Sequence, residues 1–209
     1  MRKVMVNKLM TTYSPFSRNW VLFSIMLLVT GCVSLGGNER PERLLTLTPT
    51  NMASEGALVR VQRGEAFIVY EPTVPAELDV LRVPVRVNDS NIAYLKDAIW
   101  VERPAKLFGR LLAETIRAQG QRVVLSPGIT AVGGGPRLHG NLLQFGYDAE
   151  QAAVVITYDA TLVKKNGEIE QRRFESTILD IEADVGLVGP ILNETANDIA
   201  LKVALWIDG

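Results

Sequence analysis

The chain has 209 residues, and its 22 Lys and Arg residues nearly balance its 23 Asp and Glu residues. This slightly acidic composition argues against a nucleic-acid partner, which would require a clustered basic face. The single cysteine excludes an intrachain disulfide, so core packing alone must hold the folded part together.

The N-terminal segment is built like a secretory signal. Its first 19 residues contain four basic residues and no acidic one, and the apolar run 20–29 follows. That run is too short to span a bilayer, which takes ~20 apolar residues. Gly31 directly precedes Cys32, and a small residue at this place suits a lipoprotein signal peptidase. We therefore predict that residues 1–31 are removed and that Cys32 is lipidated.

The alternative for this segment is an uncleaved anchor or an ordinary secretory signal, with Cys32 a buried thiol. The position of Cys32, at the end of the apolar run and behind a small residue, favours lipidation. Acyl chains such as palmitate would embed at ~0.8 kcal/mol per buried methylene, which makes the anchor effectively permanent. Val33 stands where an aspartate is expected in a lipoprotein retained at the inner membrane. The predicted location is therefore the periplasmic face of the outer membrane.

Cleavage would leave 178 residues with 18 basic and 23 acidic side chains, a net charge of −5. This length fits one domain that buries roughly 70% of its unfolded surface. Residues 32–42 contain two glycines and a proline and show no periodicity, which predicts a tether that reaches ~30 Å. We expect a signal peptide at 1–31, a lipidated flexible tether at 32–42 and one folded domain at 43–209.

Short apolar runs predict strands in the first half of this domain. They lie at 44–47, 57–61, 66–70, 81–87 and 92–95. Pro84 predicts that the run 81–87 is an edge strand or an irregular one, because proline cannot donate to a sheet ladder. Asn88, Asp89 and Ser90 predict the turn between the last two runs.

Two segments have helical periodicity. From Pro104 to Ile116 apolar residues recur at spacings of three and four, and Gly120 supplies the stop. The second helical segment begins near Gly189 and Pro190, and its apolar stripe runs to the chain end. Its apolar positions are Leu192, Ala196, Ile199, Ala200, Val203 and Trp206 or Ile207.

Further strands are predicted at 123–125, 138–147, 154–163 and 169–181, and Asn166-Gly167 predicts a hairpin between the last two. The glycines at 133–135 precede a strand rather than a helix, so they indicate a flexible loop and no phosphate cradle. The elements together predict an α/β (α+β) fold, with a small mixed, largely antiparallel sheet packed by two main helices.

The sequence offers little catalytic chemistry. His139 is the only histidine, and alternation along its strand predicts that it faces solvent. One histidine and one lipidated cysteine cannot form a usual zinc site, and neither a Gly-x-Ser-x-Gly elbow nor a Walker motif occurs. Asp79, Glu114, the pair at 168 and 170 and the pair at 180 and 182 fit solvated strand faces better than a carboxylate pair. We predict a protein that is not an enzyme and needs no cofactor or metal.

Large amphipathic side chains are the candidates for a partner-binding surface. Tyr94, Trp100 and Tyr147 are the residues we assign to it, and Phe145 and Trp206 belong to the same group. For each of them, a place in the core is the alternative and the favoured interpretation.

Several segments resemble one family, the ABC-type transport auxiliary lipoproteins, over residues 43–207. They are the lipidated Cys32, then 45–49 (LTLTP), 75–79 (PAELD), the strand that ends at Arg86, and 100–102 (WVE) before the first helix. The family's usual opening Tyr-x-Leu is Leu-Thr-Leu here. The resemblance implies a domain akin to the amino-terminal domain of TolB, with two helices on a small sheet, and a non-enzymatic role.

The resemblance also implies partners, because the best-known members accompany mammalian-cell-entry (MCE) lipid transporters at the outer membrane. Expected partners are an MCE-domain protein and, indirectly, an ABC permease and its ATPase, and the chain would form a homo-oligomer. Two functions stay open: an adaptor that helps phospholipid move between the membranes, and a stand-alone carrier of lipid or a small ligand. A cavity of ~300 to 1,000 Å³ would favour the carrier, and a filled core the adaptor. A periplasmic hydrolase is the weakest alternative.

Overall fold

Eight strands and two helices make up the part of the chain that the structure, a computed structural model, describes: residues 43–62, 64–120, 122–127 and 135–209. In chain order they are β1 (Arg43–Leu45), β2 (Phe67–Val69), β3 (Arg82–Asn88), β4 (Asn91–Trp100), α1 (Pro104–Gly120), β5 (Val124–Leu125), β6 (Arg137–Asp148), β7 (Ala153–Val163), β8 (Ile169–Ile178) and α2 (Val185–Asp208), with a 3₁₀ turn at Ala76–Leu78. Neither helix of this part is long and apolar enough to cross a membrane.

The strands form one mixed sheet around β6. β7 runs antiparallel along the whole length of β6, so β2 and β3, which both run parallel to β6, must share its other edge. Beyond them β5 follows β2, β4 and β1 follow β3, and β8 follows β7. The long ladders, β3–β4, β6–β7 and β7–β8, are antiparallel. This arrangement confirms the predicted fold class.

The core lies between one face of the sheet and the two helices. On β7 every second side chain, from Val154 to Leu162, is buried, while Val155 and Asp159 between them stay half-buried. Apolar side chains of α1 and α2 join the same buried cluster. The alternation follows from the strand geometry, which sends successive side chains to opposite faces. Within the described residues neither α1 nor α2 covers the opposite face, which we call the free face.

The first helix has the predicted bounds, Pro104 to Gly120, whereas the second begins earlier than predicted. We expected a start near Pro190, because proline is favoured in the first helical turn. Instead α2 begins at Val185, where the Asp184 side chain accepts a hydrogen bond of 2.7 Å from the Gly186 amide. Pro190 lies inside the helix and has no N–H to donate to the Gly186 carbonyl.

The hairpin predicted from Asn166-Gly167 is confirmed by the β7–β8 ladder. The Lys164 amide donates to the Glu168 carbonyl at 2.8 Å, and the Gly167 amide donates to the Lys164 carbonyl at 3.0 Å. Gly167 has a φ of 88°, which glycine adopts at little cost. The loop is therefore a three-residue loop of the kind in which a type I turn is followed by a left-handed residue.

The strand predictions at 57–61 and 92–95 need correction, and the two alternatives for 81–87 are resolved. The run 57–61 forms no strand, and Leu58 is 70% exposed because no neighbouring strand pairs with it. β3 is irregular at Pro84, as predicted, yet it is not an edge strand, since it pairs with β4 on one side and with β6 on the other. β4 extends well beyond 92–95 and ends at Trp100. The glycines at 133 and 134 lie outside the described residues.

Candidate functional site

An apolar patch lies on the free face of the sheet. Val85 pairs with the core residue Tyr147, so the next pair, Arg86 and Asp148, projects to the free face. Ile92 stands opposite Arg86 in the β3–β4 ladder and is 49% exposed. Tyr94, two residues further along β4, is 38% exposed. An exposed apolar cluster with charged neighbours is typical of a protein contact surface.

A small cavity of about 80 Å³, which we call the socket, opens in this patch. Ile92 from β4 and Leu143 from β6 form part of its wall, together with Pro84 and Arg86 from β3. The socket lies where β6 is irregular, because its ladder with β7 shifts register between Leu142 and Gln144.

Gly146 brings the two sides of the socket together. A Cβ at this position would collide with the carbonyl oxygen of Pro84, so only glycine lets β3 approach β6 this closely. Gly146 also lines the socket. The shape of the socket therefore depends on a residue that contributes no side chain.

One ion pair borders the socket. The Arg86 Nε donates to Asp148 Oδ2 at 2.9 Å, and Asp148 Oδ1 accepts from the backbone amides of Glu150 and Gln151 at 3.0 and 3.1 Å. Burial by itself raises the pKa of Asp148, but the bonds and charge of Arg86 and the two amides outweigh it and hold that pKa below its usual range. The Asp148 side chain is 4% exposed and Arg86 is 37% exposed, so the guanidinium is held rigidly at the surface.

Further acidic side chains surround the socket. Glu77 lines it from the 3₁₀ turn. Asp89 and Glu150 lie close enough to Arg86 for their negative charges to raise its pKa, after the larger effect of Asp148. At the other end of the patch the Arg82 guanidinium lies 5.6 Å from the centre of the Tyr94 ring. Besides the Arg86–Asp148 pair, the socket therefore has three acidic side chains around it.

The structure separates the three aromatic residues that the sequence assigned to partner binding. Trp100 is 1% exposed and packs 5.4 Å from the ring of Phe145. Tyr147 is 6% exposed, and its hydroxyl donates a hydrogen bond of 2.6 Å to the Ile181 carbonyl. Both therefore lie in the core, and of the three Tyr94 alone presents its ring to solvent. Partner binding by these residues stays a prediction.

His139 is half-buried on β6. Its ring stacks on that of Tyr70, with centroids 4.1 Å apart, which covers more of the imidazole than the strand alternation predicted. Burial, and then the positive charge of Arg137, lower the pKa of His139. Both effects favour the neutral form of the imidazole.

The acidic residues that the sequence singled out take part mostly in ion pairs. Asp79 lies 3.3 Å from Arg103, Glu114 pairs with Arg117, and both Glu168 and Glu170 pair with Lys164. Within the described ranges no group of three His, Cys, Asp or Glu side chains is placed to hold a metal ion.

Two open grooves run beside α1. One, of about 310 Å³, has apolar residues such as Val69 and Ala113 in its wall, together with Lys106 and Arg110. The other, of about 410 Å³, lies between the segment 52–59 and the end of α1. Their volumes fall at the lower end of the ~300 to 1,000 Å³ of small-molecule sites.

Four residues of the free face escaped the sequence analysis as site residues: Arg86, Ile92, Leu143 and Asp148. Arg86 and Asp148 are 62 positions apart, and no local pattern joins them. Strand alternation assigns Ile92 and Arg86 to one face once the ladder is known. Cys32, the signal 1–31 and the tether 32–42 lie outside the described residues.

The described residues form an α+β domain in which both long helices lie on one face of the sheet. The sequence profile of the ABC-type transport auxiliary lipoprotein component family matches residues 45–200, so the chain belongs to this family. No curated protein matches the chain.

Two crystal structures share the fold. One, of an uncharacterised protein, has a TM-score of 0.61 at 15% identity and covers 79% of this chain and 99% of its own. The other, protein XCC0632 from Xanthomonas campestris, of the DUF330 family, has a TM-score of 0.58 at 16% identity and covers 80% of this chain and 92% of its own. Family membership makes the chain a membrane-anchored periplasmic lipoprotein that is associated with an ABC-type transporter.

Proposed function

We propose that this chain is a non-enzymatic lipoprotein that assists an MCE-type ABC transporter in moving phospholipid between the inner and outer membranes. In this proposal residues 1–31 are removed and lipidated Cys32 anchors the chain to the periplasmic face of the outer membrane. Residues 32–42 are the tether, and the domain 43–209 docks an MCE-domain protein. Assembly into a homo-oligomer stays an expectation of the family resemblance.

The main support for this proposal is family membership, because the family is described as an auxiliary lipoprotein component of ABC-type transport. The pattern that ends in Gly31-Cys32 supports the anchor, and Val33 supports the outer membrane. A domain held at a membrane by its N-terminus acts on partners through its exposed surface. The apolar patch around Tyr94 and Ile92, with the socket between β3 and β6, supports docking on the free face.

The second candidate function is a carrier that holds lipid or a small ligand itself. The groove of about 310 Å³ along α1 favours it, because its wall is largely apolar. The filled core between helices and sheet favours the adaptor instead. Native mass spectrometry of the gently extracted lipoprotein separates the two, since a carrier retains a stoichiometric lipid and an adaptor does not.

The anchor is tested by labelling cells with radioactive palmitate. Cys32→Ser is expected to abolish the label and to leave an unprocessed precursor at the inner membrane, because the modified thiol is required before cleavage. Wild-type protein is expected in the outer-membrane fraction, and Val33→Asp in the inner-membrane fraction. Label that persists in Cys32→Ser, or wild type in the inner membrane, would contradict the anchor or its location.

The partner is tested by capture of the MCE-domain protein of the same cell on the tagged lipoprotein. We expect capture by wild type and loss of capture by a free-face variant, Tyr94→Ser. The control is Leu205→Ser, which changes an apolar residue of α2 that is 50% exposed. Failure of wild type to capture the MCE protein under conditions that preserve the transporter would count against the adaptor.

A further inference from the structure

The socket on the free face has the size of a single side chain. Its volume of about 80 Å³ is far below the ~300 Å³ at which small-molecule sites begin. Pro84, Ile92 and Leu143 make its wall apolar. An aliphatic side chain that projects from another polypeptide would fill it, whereas a complete acyl chain or a cofactor would not.

The charges around the socket determine what can flank that side chain. Glu77, Asp89 and Glu150 form no ion pair with another described residue, and Asp148 is fully occupied by Arg86 and backbone amides. Arg86 and Asp148 neutralise each other, so Glu77, Asp89 and Glu150 leave the immediate rim of the socket negatively charged. A negative rim attracts cationic groups and repels anionic lipid headgroups.

We propose that the socket docks a segment of a partner protein in which an aliphatic side chain is flanked by lysine or arginine. The aliphatic side chain would enter between β3 and β6, and its basic neighbours would face Glu77, Asp89 and Glu150. The exposed Ile92 and Tyr94 would pack against the rest of the segment. Complementary charge at such a rim speeds association and excludes acidic partners more than it adds affinity. This inference rests on the proposed docking function and specifies the chemistry of the docked segment.

The full-length lipoprotein in detergent micelles can be titrated into three fluorescent heptapeptides, with anisotropy as the readout. One alternates lysine and leucine, the second alternates glutamate and leucine, and the third alternates lysine and alanine. We expect the lysine–leucine peptide to bind about tenfold more tightly than either of the others, which corresponds to about 1.4 kcal/mol. Its affinity should fall as salt rises.

Two variants tie this binding to the socket. Ile92→Ser should weaken binding of the lysine–leucine peptide about tenfold by removing apolar wall, and Glu77→Lys should weaken it and reduce its salt dependence. Matched controls on the outer face of α2, Leu205→Ser and Glu194→Lys, should leave binding unchanged. Circular dichroism should give nearly the same melting temperature for the socket variants as for wild type, because Ile92 is exposed and Glu77 is half-buried without an ion pair to another described residue.

The proposal that the socket docks such a segment is wrong if the three peptides bind equally well. It is also wrong if Ile92→Ser and Glu77→Lys leave binding unchanged. Preference for the glutamate peptide, or for phosphatidylglycerol vesicles over the peptides, would overturn it as well. Capture of the MCE protein by wild type separates the two proposals. If wild type captures the MCE protein but shows no preference among the peptides, the proposed docking at the socket is wrong and the adaptor function is retained. If capture fails, the proposed adaptor function itself is wrong.

Discussion

At the scale of single residues, Asp148 links the stability of the domain to the geometry of the free face. Its carboxylate accepts hydrogen bonds from Arg86, Glu150 and Gln151 while it is almost fully buried. A buried carboxylate without such partners would cost several kcal/mol or take up a proton. The ion pair also holds β3 to the end of β6, which forms one side of the socket.

Asp148→Asn is expected to destabilise the domain by roughly 1–3 kcal/mol at pH 7, because a hydrogen-bonded carboxylate beside Arg86 is lost. The pKa of Asp148 is lower in the folded than in the unfolded chain. Its stabilising effect is therefore complete above the unfolded value of about 3.9 and is lost as pH falls through the folded value. The difference in the free energy of unfolding between wild type and Asp148→Asn, measured by urea denaturation, should become smaller from pH 7 to pH 3.

The control for this measurement is Asp198→Asn, which breaks an exposed pair with Lys202 on α2. Exposed pairs contribute ~0–1 kcal/mol, so this variant should stay close to wild type at both pH values. If wild type and Asp148→Asn differ in free energy of unfolding by as much at pH 3 as at pH 7, Asp148 is not stabilising through its ionised form.

At the scale of elements, α2 is the helix that seals the sheet. Its stripe from Leu192 to Val203 is buried, with Ile199 among the residues that have no exposed surface. α2 packs on β7 and β8 and also on α1. Nearly every side chain of the stripe therefore contributes to the same core, and a charge placed there has no partner.

Ile199→Asp is expected to destabilise the domain by several kcal/mol, because an unpaired carboxylate is costly in the core. Leu205→Asp, on the exposed side of the same helix, should change stability by no more than about 0.5 kcal/mol. Thermal unfolding by circular dichroism and the level of each variant in the cell envelope would measure the effect. Equal stability of the two variants would show that α2 does not seal the core as described.

At the scale of the whole molecule, the proposed function requires exposed surfaces and no titrating catalytic group. His139→Ala removes a ring stacked on Tyr70 and should reduce stability by about 0.5–1.5 kcal/mol. Capture of the MCE protein and resistance of the cells to detergent should stay unchanged. Ile199→Asp, compared at matched expression, should lose both the capture of the MCE protein and the detergent resistance. If His139→Ala abolishes function while the protein remains folded and bound to its partner, an active site has been missed.

The sequence by itself determined the features that rest on local patterns. The bounds of α1 follow from Pro104, the spacing of its apolar residues and Gly120, and the β7–β8 hairpin follows from a loop with a glycine in the right place. Both depend on interactions between residues a few positions apart. The class of the fold followed as well, because the order of helical and strand periodicities leaves few arrangements.

Only the tertiary structure decided where the surfaces lie. Pro84 predicted an edge strand or an irregular one, and the fold decided between them: β3 is irregular but enclosed, since its pairing with β6 joins residues 62 positions apart. The register shift at Leu142 changes which side chains of β6 face the core, and alternation in the sequence cannot reveal such a shift. In the folded sheet Trp100 and Tyr147 are buried, while Ile92 and Leu143 are exposed. Strand register is set by contacts across the whole sheet, and the free face and its socket exist only once those contacts have formed.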